Sequence, residues 1–147
     1  FLDIGCGVGC PAQMVNDKKK GCEIWGVDIS SDVIEANKKD ALYGKWFQGY
    51  VGGLDFLPNN YFDVIFSGEV IEHLDDPAAL FNESYKLLKR GGKLVITTPH
   101  EDKVLSPEHV WFFEPKDVEE FFKNTGFSKV EFVKLPDTEH VLVIFAV

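Results

Sequence analysis

Apolar and polar positions come in short blocks along the chain, and the blocks set the order of the elements. Residues 1–4 are an apolar run read as a buried strand, stopped by Gly5-Cys6-Gly7-Val8-Gly9. The spacing over about 11–19 predicts a helix, with Gly21 at its C-terminal stop. Residues 23–29 read as a second strand. Ser30 or Ser31 then caps a helix over about 32–42, where Val33, Ile34, Ala36 and Ala41 supply a partial inner face. Residues 46–51 have the aromatic and β-branched character of a third strand, and 52–60 read as a loop. Residues 62–66 are a fourth strand, interrupted by Asp63.

The next helix carries the fullest set of signals. Asp75 or Asp76 caps it, and Pro77 sits in the first turn, where its missing N–H costs nothing. Leu80, Phe81, Ser84, Tyr85 and Leu88 share a face. Lys86, Lys89 and Arg90 meet the negative end of the helix dipole, and Gly91-Gly92 end the helix. Residues 93–98 form a fifth strand closed by Pro99. A long loop over 100–114 leads to a helix from Pro115, with Val118, Phe121 and Phe122 inward and Gly126 at its stop. Residues 127–134 and 140–147 read as an antiparallel pair joined by a Pro-Asp turn. The alternation of strands and helices predicts an α/β fold: a doubly wound, mostly parallel sheet with an antiparallel addition. In such sheets ligands bind at the carboxyl ends of the strands, beside the first one. That singles out residues 5–9, Asp28, 52–55 and 67–73.

Composition narrows the class of protein. A length of 147 residues suits one domain, and 45% apolar with 27% charged residues excludes a disordered chain. No apolar run approaches the roughly 20 residues of a membrane helix. Acidic residues outnumber basic ones by 24 to 15, for a net charge of −9, which disfavours a nucleic-acid partner. Cys6, Cys10 and Cys22 have no disulfide or zinc-finger spacing, so they read as reduced small hydrophobes and the compartment as cytoplasmic. The sequence has no signal peptide and opens without Met, directly on an apolar strand, so residues before Phe1 are expected to be absent.

The candidate chemistry begins at the glycine loop. Glycines between a strand and a helix let the backbone turn sharply and let a ligand lie against main-chain atoms. A tight strand–helix turn alone would also explain them. Asp28 adds a second signal: it closes the second strand 19 residues after Gly9, where a carboxylate accepts hydrogen bonds from both ribose hydroxyls of an adenosine. The spacing here is G-x-G-x-G, with Cys10 in the sixth position, so the nicotinamide-dinucleotide pattern G-x-G-x-x-G is not met.

In order, LDIGCGVG, GVDIS, FDVIFSGEVIEHL and LLKRGGKLVITTP resemble the class I S-adenosylmethionine-dependent methyltransferases, and among them the small-molecule group that includes the ubiquinone-biosynthesis O-methyltransferases. The resemblance runs over nearly the whole chain. It implies a Rossmann-like, seven-stranded sheet whose last strand is antiparallel and inserted next to its end. It implies a single S-adenosylmethionine-binding domain over 1–147, without the helices that family members carry before the first strand. By the same resemblance, Asp3 and the backbone of Gly5, Cys6 and Gly7 would hold the methionine part of the cofactor. Asp28 would take the ribose hydroxyls and Ile29 would pack on the adenine. Ser67 would offer its carbonyl to the cofactor's amino group. The acid that usually meets the adenine amine falls at Gly53 here, so Asp55 or the Leu54 N–H would replace it.

Glu69, Glu72 and His73 are spaced i, i+3 and i+4, and a helical turn would put all three on one side. With His100 or His109 they could hold a divalent metal. This pattern resembles that of the metal-assisted small-RNA 2′-O-methyltransferases as well as the ubiquinone-type enzymes. Without a metal, His73 or His100 could act as general base. Trp111, Phe112 and Phe113 read equally as an acceptor wall or as core. The resemblance therefore implies methyl transfer to a small molecule, at oxygen, with no nucleic-acid or membrane partner. The alternatives are a metal-assisted RNA 2′-O-methyltransferase using Glu69, Glu72, His73 and His109, and a non-catalytic cofactor-binding domain of a larger protein.

Overall fold

The computed structural model describes residues 1–99, 110, 124–134 and 140–146. Within them seven strands form one sheet: β1 (Leu2–Ile4), β2 (Ile24–Asp28), β3 (Gly44–Gln48), β4 (Phe62–Gly68), β5 (Leu88–Pro99), β6 (Lys129–Lys134) and β7 (His140–Ala146). Their order is β3-β2-β1-β4-β5-β7-β6. The first five run parallel, and β7 runs antiparallel between β5 and β6. The expected sheet is therefore present, inserted antiparallel strand included. The order turns back at β1, between β2 and β4, which is where such sheets place their ligands.

Among the described residues the α-helices α1 (Cys10–Lys18), α2 (Ser31–Asp40) and α3 (Pro77–Leu87) cover the sheet. Alternate residues of each strand serve opposite faces, as the two-residue period requires. Ile24 and Trp46 join Cys6, Ala12 of α1 and Ile34 of α2 in one cluster. Val27, Ile65 and Leu94 join Leu80 and Phe81 of α3 in the other. Gly26 is fixed by this packing, because a Cβ there would lie 2.4 Å from the Trp46 ring. The caps follow the sequence. The Ser30 hydroxyl accepts from the Val33 N–H of α2, and the Asp76 carboxylate accepts from the Ala78 N–H of α3.

Several boundaries differ from expectation: β4 runs on to Gly68, so Ser67 lies within it, and the larger changes are at β3 and α3. β3 begins at Gly44, two residues before the predicted start, and ends at Gln48, which leaves Gly49, Tyr50 and Val51 beyond the strand. α3 stops at Leu87 instead of running to the Gly91-Gly92 pair. Its last carbonyls are taken by the chain entering β4: the Asn60 N–H donates to the Lys86 carbonyl and the Tyr61 N–H to that of Leu87. Leu88 then pairs with Phe62 in the sheet, and Lys89 holds the Asp63 carboxylate at 2.8 and 2.9 Å. Sheet pairing has outcompeted the dipole at the helix end. The predicted loop 100–114 with His100, His109, Trp111, Phe112 and Phe113, and the helix from Pro115, lie outside the described residues, apart from Val110 and the end of that helix at 124–126. Among the described residues no helix is long and apolar enough to cross a membrane.

Candidate functional site

At the carboxyl end of β1 the glycine loop turns towards α1. Gly5 has φ +73°, and a Cβ built on it would lie 2.2 Å from Cγ2 of Val70, so only glycine fits. Four of the loop's N–H groups are taken up within the protein. Those of Gly5 and Cys6 both donate to the Val27 carbonyl, and that of Gly9 donates to the Cys6 carbonyl. The Gly7 N–H donates to Oδ2 of Asp28 at 2.8 Å. From α2, the Asn37 side chain donates to the Gly7 carbonyl at 2.7 Å, a brace for which the sequence reading had no signal. The loop therefore offers a ligand close approach more than a set of N–H groups for an anion. The Cys6 side chain points into the core, and burial pushes its thiol up to about 12, so only its backbone faces the site.

Two carboxylates flank this loop. Asp3 is 1% exposed, and its Oδ2 has no hydrogen-bond partner. Burial raises its pKa to about 7; the Ala12 backbone amide opposes the rise and the Asp28 charge adds to it. Asp28 is half-buried, and its second oxygen accepts the Ser30 N–H at 2.9 Å. Each Asp28 oxygen keeps a further acceptor position, so both the local turn and a ligand's hydroxyls can be served.

The carboxylates belong to two cavities. One of 380 Å³ is lined by Asp28, Ile29, Tyr50, Val51, His73 and Leu74 among others. One of 340 Å³ is lined by Asp3, Cys6, Gly7, Phe66, Gly68 and Thr97 among others. Gly5 and Glu69 line both. Neither lining includes Lys or Arg among the described residues.

The expected site residues are thus brought together in part. Asp3, Gly5, Cys6, Gly7, Asp28 and Ile29 line the cavities, Ile29 as a 73% exposed rim. Ser67 lies between two lining residues but is itself fully buried, its hydroxyl unpartnered. Leu54 and Asp55 are not in either lining. The Leu54 N–H is taken by Oε1 of Glu83 on α3, and its side chain is core. Asp55 is exposed. Tyr50 stands nearer: a Cβ on Gly53 would meet its ring at 2.9 Å. The shortened β3 is what frees Tyr50 and Val51 to line the cavity. The rule that ligands meet strand ends could have found them.

The Glu-His group is divided rather than gathered on one side. Residues Ile71–His73 form a single 3-10 turn, and Glu69 precedes it with φ +54°. Glu69 and His73 line the larger cavity. Glu72 turns into the core, 1% exposed, where the Thr98 hydroxyl donates to its Oε2 at 3.3 Å and Oε1 has no partner. Burial raises its pKa, and the Glu69 charge adds to the rise. Among the described residues no group of three could hold a metal ion.

Comparison with known proteins agrees with this geometry. Residues 2–96 match a family model described as a methyltransferase domain. Phosphoethanolamine N-methyltransferase 2 of Caenorhabditis elegans is 30% identical over 144 residues, covering 89% of this chain and 33% of the relative. The ubiquinone biosynthesis O-methyltransferase of a Bradyrhizobium strain is 30% identical over 133 residues, covering 84% of this chain and 51% of the relative. The chain thus spans between a third and a half of these two relatives. The solved structure of a SAM-dependent methyltransferase from Archaeoglobus fulgidus superposes with a TM-score of 0.81 at 20% identity, covering 99% of this chain and 85% of that one. The chain belongs to the class I S-adenosylmethionine-dependent methyltransferase family that its ordered motifs resemble.

Proposed function

We propose that this chain binds S-adenosylmethionine and transfers its methyl group to a small molecule, at an oxygen or nitrogen nucleophile. The observation that carries this is the pairing of two carboxylates in two cavities that share Gly5 and Glu69. Asp3 is a buried carboxylate with an unpartnered oxygen, which suits a ligand ammonium. Asp28 retains acceptor positions for a vicinal diol. Ile29, Tyr50, Val51 and Leu74 supply the apolar wall that an adenine ring needs. The residues present therefore fit this cofactor. It supplies an activated methyl, which passes to the acceptor's lone pair while the electron pair of the broken C–S bond stays on sulfur. What the chain must add is mostly position, since in-line alignment accounts for much of the rate in such transfers. His73, in the wall of the larger cavity, is the described imidazole able to accept the acceptor's proton.

The test is calorimetric titration of S-adenosylhomocysteine into chelator-treated protein, with NAD as control. Saturable binding of S-adenosylhomocysteine without NAD binding is expected. Heat from NAD alone, or from neither compound, would refute the proposal.

A further inference from the structure

The order of strands sets which way a bound nucleoside points. If the ribose sits on Asp28 at the end of β2, and the methionine half lies towards Asp3 on β1, the base turns the other way, over the end of β3. Tyr50 and Val51, which follow β3, wall the larger cavity there together with Ile29. Glu69 and His73 enter the same cavity from the opposite side, after β4. Neighbouring strands lie about 4.8 Å apart, so β3 and β4, with β2 and β1 between them, are separated by roughly 14 Å. A purine carries N1 and its 6-substituent on the edge remote from the ribose. That edge therefore meets the segment 49–54.

The main-chain donors of this segment are largely spent. The Gly49 N–H donates to the Asp28 carbonyl at 3.0 Å, and the Gly53 N–H to the Tyr50 carbonyl at 3.1 Å. Glu83 takes the N–H groups of Gly52 and Leu54 at 2.8 and 3.0 Å. The Gln48 side-chain amide, at the end of β3, donates to the Ile29 carbonyl at 3.2 Å. The polar side chain within 49–54 is the Tyr50 phenol. What the segment presents is an aromatic face. A Cβ on Gly53 would lie 2.9 Å from Cζ of Tyr50, and one on Gly52 3.9 Å from its Cε2, so the ring rests on the glycine pair. Tyr50 is nevertheless 62% exposed, which leaves the rest of the ring open. A flat ring backed by main chain is a surface on which a base can stack, and stacking is indifferent to the groups on the base's edge.

We propose that the larger cavity holds the purine by its faces, with Tyr50 as the stacking residue, and leaves the 6-position unread, so that 6-oxo and 6-amino forms of the cofactor bind alike. This rests on the reading of the site as one for S-adenosylmethionine. Replacing the 6-amino group by a 6-oxo group turns a donor into an acceptor, and turns N1 from an acceptor into an N–H donor. A site with its own donor and acceptor set against that edge rejects the inverted pattern, because its groups are left unpaired. Amides already bonded to Glu83, Asp28 and Tyr50 lose nothing by the exchange.

The experiment needs no acceptor. Dissociation constants of S-adenosylhomocysteine and its 6-oxo analogue, S-inosylhomocysteine, are measured by calorimetry for the wild type, Tyr50→Ala and Tyr50→Phe. The wild type is expected to bind the two within about fivefold of each other, far less than a site that reads the edge by hydrogen bonds would impose. Tyr50→Ala should weaken both by about tenfold, towards the lower end of what losing a base-stacking aromatic costs. Tyr50→Phe keeps the face and should bind both like the wild type. A wider gap between the two ligands in the wild type would show that the edge is read. Unchanged affinities in Tyr50→Ala, or a Tyr50→Phe variant as impaired as Tyr50→Ala, would show that the ring face is not the contact. Each of these results overturns the proposal while the cofactor reading stands. If the wild type does not bind S-adenosylhomocysteine, the cofactor reading fails and this one with it.

Discussion

Asp3 concentrates the conflict between stability and binding in one residue. Its carboxyl keeps a proton up to about pH 7 in the folded chain, whereas in the unfolded chain it loses it near 3.8. A raised folded pKa contributes stability that is complete below the unfolded value and is lost as pH rises through about 7. Asp3→Asn removes the buried charge, so it should melt several degrees above the wild type at pH 8 and close to it at pH 4, by thermal denaturation followed with circular dichroism. Binding should move the opposite way. Wild-type affinity for S-adenosylhomocysteine should rise between pH 6 and 8 as Asp3 ionises, and the variant should lose both the affinity and the pH dependence. A variant that binds as tightly as the wild type would remove Asp3 from the site. Among single residues, Gly5 was legible from the turn that needs a glycine, and Asp28 from its place at the end of the second strand, whereas Asp3 came forward only through the family resemblance. Glu72 was not legible: spacing alone cannot say that a glutamate turns inward to a threonine hydroxyl 26 positions away.

Elements were legible where local signals and packing agree, as at Ser30 and Asp76, whose caps form as the sequence suggests. They were misread where tertiary pairing overrides propensity. Leu88 has the right helical spacing, but its partner Phe62 lies across the sheet. The segment after β3 was misread for a related reason. Its conformation depends on α3, whose Glu83 accepts the Gly52 N–H at 2.8 Å and the Leu54 N–H at 3.0 Å. No pattern within residues 49–55 encodes that clasp. Glu83→Ala leaves two amides without their charged acceptor and should cost about 1–3 kcal/mol in urea denaturation. It should also weaken S-adenosylhomocysteine severalfold, because Tyr50 and Val51 leave the same clasped segment to line the larger cavity. Unchanged affinity would show that the clasp is purely structural.

At the scale of the whole molecule the sheet order was legible in outline, because alternating strands and helices permit few topologies. The antiparallel β7 between β5 and β6 followed from the family resemblance, and the continuous apolar run over 141–147 suits a strand inside the sheet independently. The site inherits its plan from that topology: β1 and β2 supply Asp3 and Asp28, and the segment after β4 supplies Glu69 and His73. Charge acts at this scale too. A net charge of −9 and cavities without Lys or Arg in their described walls repel anions before any contact forms.

The internally bonded amides of the glycine loop have a consequence for life among competitors. ATP, ADP and AMP carry the same adenosine as S-adenosylmethionine and are abundant wherever metabolism is active. A loop with free N–H groups would cradle their phosphates and be crowded out by mass action. Here the amides of Gly5, Cys6, Gly7 and Gly9 are already committed to Val27, Asp28 and Cys6, which leaves a phosphate fewer main-chain donors than an open loop would give it. Excess ATP should therefore leave the S-adenosylhomocysteine titration nearly unmoved. Marked competition would mean that the loop reopens to take an anion. Discrimination against the commonest adenosines would then be a property of the loop's main-chain donors, with the Asp28 side chain as one of their acceptors.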